Sequence, residues 1–89
     1  MEYYIVRDSM FKITDLDYYK LTIFSCTAHA FKAICDYMKY HSATIKDFCI
    51  IEKHSHYFDY EVKLYFKKDY DDDDITHNIS FYIQKVVID

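Results

Sequence analysis

The sequence predicts an α+β fold, an antiparallel sheet of four or five strands with one helix packed across one face. Three observations carry that expectation. Phe58, Tyr60, Val62, Leu64 and Phe66 alternate with Asp59, Glu61, Lys63 and Tyr65, and Ile79, Phe81 and Ile83 alternate with Ser80, Tyr82 and Gln84. Such two-residue alternation sets apolar side chains on one face of a strand. Between Ala28 and His41 the spacing changes to Phe31, Ile34, Cys35 and Met38, the i, i+3, i+4, i+7 pattern of one buried helical stripe. The chain has 89 residues and a 52% hydrophobic share, enough for one core that offsets the entropy lost on ordering. One helix and several strands sharing a single core form two layers. A single domain over residues 1–89 follows.

In chain order, Glu2 to Arg7 reads as a short strand with Tyr3 and Ile5 on one side and Tyr4 and Val6 on the other. Asp8 and Ser9 punctuate it. Phe11, Ile13 and Leu16 suit a second short strand or an ordered loop, with a turn at Asp15-Leu16-Asp17. Tyr18 to Phe24 is expected to be a strand, which places Tyr19 on a buried face. Ser25 or Thr27 is the expected helix N-cap, since either hydroxyl accepts from an amide that the first turn leaves unpaired. His29, Lys32, Asp36 and Lys39 form the polar face of the helix, and Ser42-Ala43-Thr44 leads out of it.

Ile45 to Glu52 carries the continuous apolar run Phe48-Cys49-Ile50-Ile51, the pattern of a central strand with contacts on both faces, which makes Cys49, like Cys35, a core residue. Lys53 to Tyr57 is a polar loop. The two clearest strands then form a long hairpin whose second strand continues to Ile88 and whose tip lies between Lys67 and His77. The outer sheet face carries Glu61, Lys63, Tyr65, Tyr82 and Gln84 and is open to solvent or a partner.

Composition narrows the chemistry. The chain contains no Gly and no Pro, so hairpins use longer loops of Asp, Ser, Thr, His and Lys, and phosphate-loop and dinucleotide motifs are excluded. The same bias, with eleven Tyr and eleven Ile, fits an AT-rich genome such as those of many phages, viruses and low-GC bacteria. Three cysteines, none in a CxxC pair, point to reduced thiols. No apolar run approaches bilayer-spanning length and the first residues lack signal-peptide features, so a soluble, cytoplasmic protein is expected, within the host cell if the source is viral.

Net charge is −4. Acids and bases balance up to residue 44, and the excess in the second half equals the four aspartates Asp71, Asp72, Asp73 and Asp74. That balance argues against direct binding to a nucleic-acid backbone, which needs cations to displace counterions.

The acidic run is the first candidate site. With Asp69 beside it and Tyr70 as an aromatic neighbour, it is suited to imitate phosphates and enter an Arg/Lys-lined groove; in extended chain, alternate carboxylates stand about 6.6 Å apart. The plainer reading is a solvated loop that keeps a glycine-free hairpin soluble. Tyr65 and Tyr82 on the open face, with Tyr37, Tyr40 and Tyr70, are the second candidate, because tyrosine is enriched at protein interfaces. His54 and His56 sit at a spacing that allows a shared metal, but no further ligand is specified, so a polar loop is the commoner case. Cys26 near a helix N-terminus with His29 is a weak thiol-enzyme pattern without surrounding signature.

The expectation is therefore a non-enzymatic binding protein without cofactor or metal. Its partner is a basic surface on a nucleic-acid-handling protein, in the manner of a phage- or virus-encoded inhibitor of host defence such as an anti-CRISPR or anti-restriction protein. The partner-binding residues are Asp69, Tyr70, Asp71, Asp72, Asp73, Asp74, Tyr65 and Tyr82. Two other readings fit the same residues: a homodimeric interaction module with a tyrosine-rich interface, and a small metal-binding or thiol-dependent enzyme.

Overall fold

The computed structural model describes residues 1–7 and 23–88. Its elements are β1 (Glu2–Arg7), β2 (Ile23–Phe24), α1 (Thr27–Tyr40), β3 (Ala43–Glu52), β4 (Tyr60–Lys68) and β5 (His77–Val87). The strands form one five-stranded antiparallel sheet in the order β2-β1-β5-β4-β3, with α1 across one face. The α+β fold expected from the pattern is the fold observed. The expectations for Phe11 to Leu16, for Tyr18 to Thr22 and for a buried Tyr19 lie outside the described residues.

The longest strand, β5, is paired on both sides. The hairpin partner β4 lies on one edge, with Val62 opposite Phe81 and Leu64 opposite Ile79, and β1 lies on the other, with Val6 opposite Ile83. These residues point to the helix side, where Val6, Val62, Leu64, Phe81 and Ile83 are sealed from solvent together with Ile34 of α1.

The buried helix stripe differs from the expected one. Ala30, Ala33, Ile34 and Met38 are buried, whereas Phe31 and Cys35 are half-buried at its flank. The alanines place the least bulk between helix and sheet, and Phe31 reaches sideways to Phe48, with ring centroids 4.9 Å apart.

The helix start also corrects the capping expectation. Thr27 is already helical, and the N-cap is Cys26, in extended geometry with no side-chain capping bond; neither Ser25 nor Thr27 serves. At the other end, Ser42 takes the left-handed conformation (φ 57°) that glycine would ordinarily supply. Its amide donates to the Lys39 carbonyl at 3.0 Å and its carbonyl accepts from the Asp69 amide at 2.8 Å, so the end of α1 is tied to the hairpin.

The largest correction concerns β3. Among the described residues it is an edge strand paired only with β4, not a central one, and Cys49 is exposed rather than part of the core. Phe48 and Ile50 share the helix side of the sheet with Leu64 and Val62, yet they are 50% and 49% exposed because they lie at the margin of the helix footprint. The strand is irregular where Lys46 is inserted as an extra residue between Ile45 and Asp47. Phe58 departs from its alternation as well. β4 begins at Tyr60, and Phe58, in the segment before it, packs its ring at a tilt, 4.6 Å between centroids, against Tyr82, whose side chain belongs to the opposite face.

Candidate functional site: the acidic hairpin tip

β4 and β5 end at Lys68 and His77, so the tip spans Asp69 to Thr76. Its base is held by two carboxylates that turn back onto the strands. Asp69 Oδ1 accepts from the Thr44 hydroxyl at 2.7 Å. Asp71 Oδ2 lies 2.8 Å from His77 Nε2, with both side chains largely covered. The His77 ring is itself stacked on Phe66, its partner across the hairpin, at a centroid distance of 5.5 Å. The backbone turns twice, through Asp71 N–H to the Lys68 carbonyl at 3.0 Å and Ile75 N–H to the Asp73 carbonyl at 2.8 Å. These turns replace the extended row of carboxylates on which the 6.6 Å spacing depended.

Three carboxylates project outward. The Asp74 side chain is 87% exposed and meets Lys67 at 3.7 Å, a surface pair of little strength. No hydrogen bond or ion pair joins the side chain of Asp72 or Asp73 to another described residue. Tyr70, also exposed, lies under the Lys68 ammonium at 5.7 Å. The five aspartates thus divide: Asp69 and Asp71 fix the loop, and Asp72, Asp73 and Asp74 display charge.

The tyrosines do not form one patch with the tip. Tyr65 and Tyr82 share the outer sheet face, but Tyr65 is opposite Asn78 while Tyr82 is opposite Glu61, four residues along β4 and hence about 13 Å away. Tyr82 is half-buried on Phe58, and only Tyr65 is toward the tip end. Tyr37 packs edge-on against Phe81 at 6.0 Å, whereas Tyr40 is exposed.

The histidine and cysteine candidates occupy other roles. His54 Nδ1 is 2.9 Å from Asp59 Oδ1 and its Nε2 is 3.4 Å from Glu52, so both ring nitrogens face carboxylates. Among the described residues no three His, Cys, Asp or Glu side chains are gathered as metal ligands. Cys26 is half-buried and His29 is exposed, with no hydrogen bond between their side chains.

Asp59 is the polar residue that the strand pattern concealed. Beyond the end of β4, its Oδ2 accepts the Lys85 amide at 2.7 Å in place of a missing strand neighbour, while Oδ1 holds His54. Partial burial pushes the Asp59 carboxyl up, but the His54 and Lys85 hydrogen bonds outweigh it and leave the group below its ordinary value. The Asp59 hydrogen bond raises His54 in turn. A polar residue immediately before the alternating strand is the only signal in the sequence, and it is common to many strand ends.

Together the fold and tip define a small α+β protein that displays an ordered acidic hairpin. No family model, no curated protein and no solved structure matches this chain. Among the described residues, no helix is long and apolar enough to cross a membrane.

Proposed function

We infer that this is a binding protein rather than an enzyme, and that its acidic hairpin tip engages a basic surface of a partner protein. One observation supports the reading above the others: the base of the loop is pinned by Asp69 to Thr44 and Asp71 to His77, while Asp72, Asp73 and Asp74 face solvent. Charges held in place before binding lose less entropy on binding than charges on a free loop. Exposed carboxylates also suit charge-assisted bonds to Arg and Lys.

The partner surface that fits is a groove that otherwise receives phosphates, so the protein acts as a competitor for a nucleic-acid-handling enzyme or complex. A phage- or virus-encoded inhibitor of host defence has this chemistry, and the glycine- and proline-free composition agrees with such a source.

The test uses a triple variant, Asp72→Asn, Asp73→Asn and Asp74→Asn, which leaves the two loop-fixing carboxylates in place. Wild type immobilised on resin should capture from host extract a nucleic-acid-binding protein that duplex DNA or RNA displaces and that higher salt weakens. The variant should lose at least about tenfold in affinity, or roughly 1.4 kcal/mol. Undiminished capture by the variant refutes the reading. A self-associating module is the second reading, and the exposed edge of β3 favours it rather than the separated tyrosines.

A further inference from the structure

We propose that this protein pairs with a second copy of itself along the edge of β3 that no described strand covers, antiparallel, about a two-fold axis through Cys49. The inference names the surface for the self-association reading, and its test leaves the acidic tip untouched.

The backbone bonds of β3 limit the registers. Asp69 N–H donates to the Ser42 carbonyl on one side of the irregularity, and Lys53 N–H donates to the Asp59 carbonyl at the far end. Residues of an antiparallel pair alternate between bonding inward and outward. Cys49 and Ile51 therefore face β4, and Phe48, Ile50 and Glu52 present their amides and carbonyls to the open edge. The Phe48 amide agrees with that direction, because it donates to the carboxylate of its own neighbour Asp47 at 2.8 Å.

A second β3 bonds correctly only when outward residues stand opposite outward residues. With the axis at Cys49, Phe48 of each copy exchanges backbone hydrogen bonds with Ile50 of the other, and the two exposed apolar side chains meet on the helix side. The same register brings Lys46 near Glu52 at both ends of the pairing. Moving the axis to Ile50 sets Phe48 against Glu52, and moving it to Phe48 sets Ile50 against Lys46. The Cys49 register is the one that is complementary in both apolar contact and charge.

A cleft supplies the second half of the fit. Thr27, Ala28, Phe31, Ile50, Tyr60 and Ile83 line a shallow, mostly apolar hollow of about 200 Å³ beside the edge. Phe48 of the second copy, opposite Ile50, arrives at its rim. Pairing produces a ten-stranded sheet with both helices on one face. The acidic tips point to opposite ends of that sheet, which makes the pair a bivalent display of the charge. The Asp47 carboxylate occupies the Phe48 amide in the separate chain and must leave it on pairing, so it limits association without preventing it.

Two measurements test this. Light scattering at about 1 mM, where a millimolar complex is half-formed, should give a weight-average mass at least about 1.5 times the 10.9 kDa chain, rising toward twice it at higher concentration. Ile50→Pro, which removes an outward amide, and Phe48→Glu should each return the monomer mass with unchanged circular dichroism. Asp47→Ala should tighten pairing, by about tenfold for the loss of one competing charged hydrogen bond. In a Cys26→Ser, Cys35→Ala background, diamide should join two Cys49 thiols. Their two protons and two electrons pass to the diamide, which is reduced to the hydrazine. Facing residues that do not exchange hydrogen bonds lie about 4.5 Å apart at Cα, within disulfide reach. A monomer mass for wild type, a dimer mass kept by both edge variants, or a dimer that diamide fails to cross-link would each overturn the proposal.

Discussion

Replacing Asp59 tests how the open end of the hairpin is closed. Asp59→Ala removes the acceptor of the Lys85 amide at 2.7 Å and the partner of His54 at 2.9 Å. Hydrogen bonds to charged groups contribute about 1.5–3 kcal/mol. The Asp59 side chain is 22% exposed and the Lys85 amide has access to water, so the lower end applies, and a loss of about 1.5 kcal/mol is expected. In a domain of this size that lowers Tm by about 6–12 °C. Asp59→Asn keeps an oxygen for the Lys85 amide and should cost about half as much.

The pH dependence has a definite sign. Asp59 is held below its ordinary 3.8, so its contribution is present above that value and lost as pH falls through the folded-state pKa. His54 is raised above 6.5, so its contribution is present below that value and lost as pH rises through the folded-state pKa. The gap between wild type and Asp59→Ala should therefore be widest between pH 3.8 and 6.5 and narrow above, leaving the Lys85 bond. Urea unfolding at a series of pH values measures it. A gap below about 0.5 kcal/mol throughout, or one that widens above pH 7, refutes the assignment.

Two further substitutions probe the packing and the helix exit. Leu64→Ala empties a fully buried site between α1 and the centre of the sheet and should cost about 2–5 kcal/mol by urea unfolding; a loss below 1 kcal/mol would mean that the core is not closed there. Ser42→Gly relieves a left-handed serine and should stabilise by about 0.5 kcal/mol, read as a rise in Tm of a few degrees, whereas a fall would remove the backbone argument.

The local pattern was sufficient for the hairpin, the helix and the two-layer fold. Alternation at Tyr60 to Phe66 and Ile79 to Ile83, and the helical period after Ala28, depend only on which side chains share a face. The acidic tip was equally visible as an unbroken run. Its division into fixing and displayed carboxylates was not, because the partners Thr44 and His77 become neighbours only when β3 and β5 flank β4.

The sequence by itself determined the class of fold and the place of the charge, since periodicity and composition act residue by residue. Tertiary structure decided which strand is left at the edge. Phe48-Cys49-Ile50-Ile51 looks the same whether a neighbour covers it or is yet to arrive, and strand order follows from a pairing more than 70 residues apart in the chain, β1 with β5. That pairing occupies the second side of β5, leaves β3 with β4 as its one partner among the described residues, and turns a segment that reads as core into an exposed edge. Hydrogen-bonded pairing is a non-local choice among strands of similar pattern, and only the completed sheet resolves it.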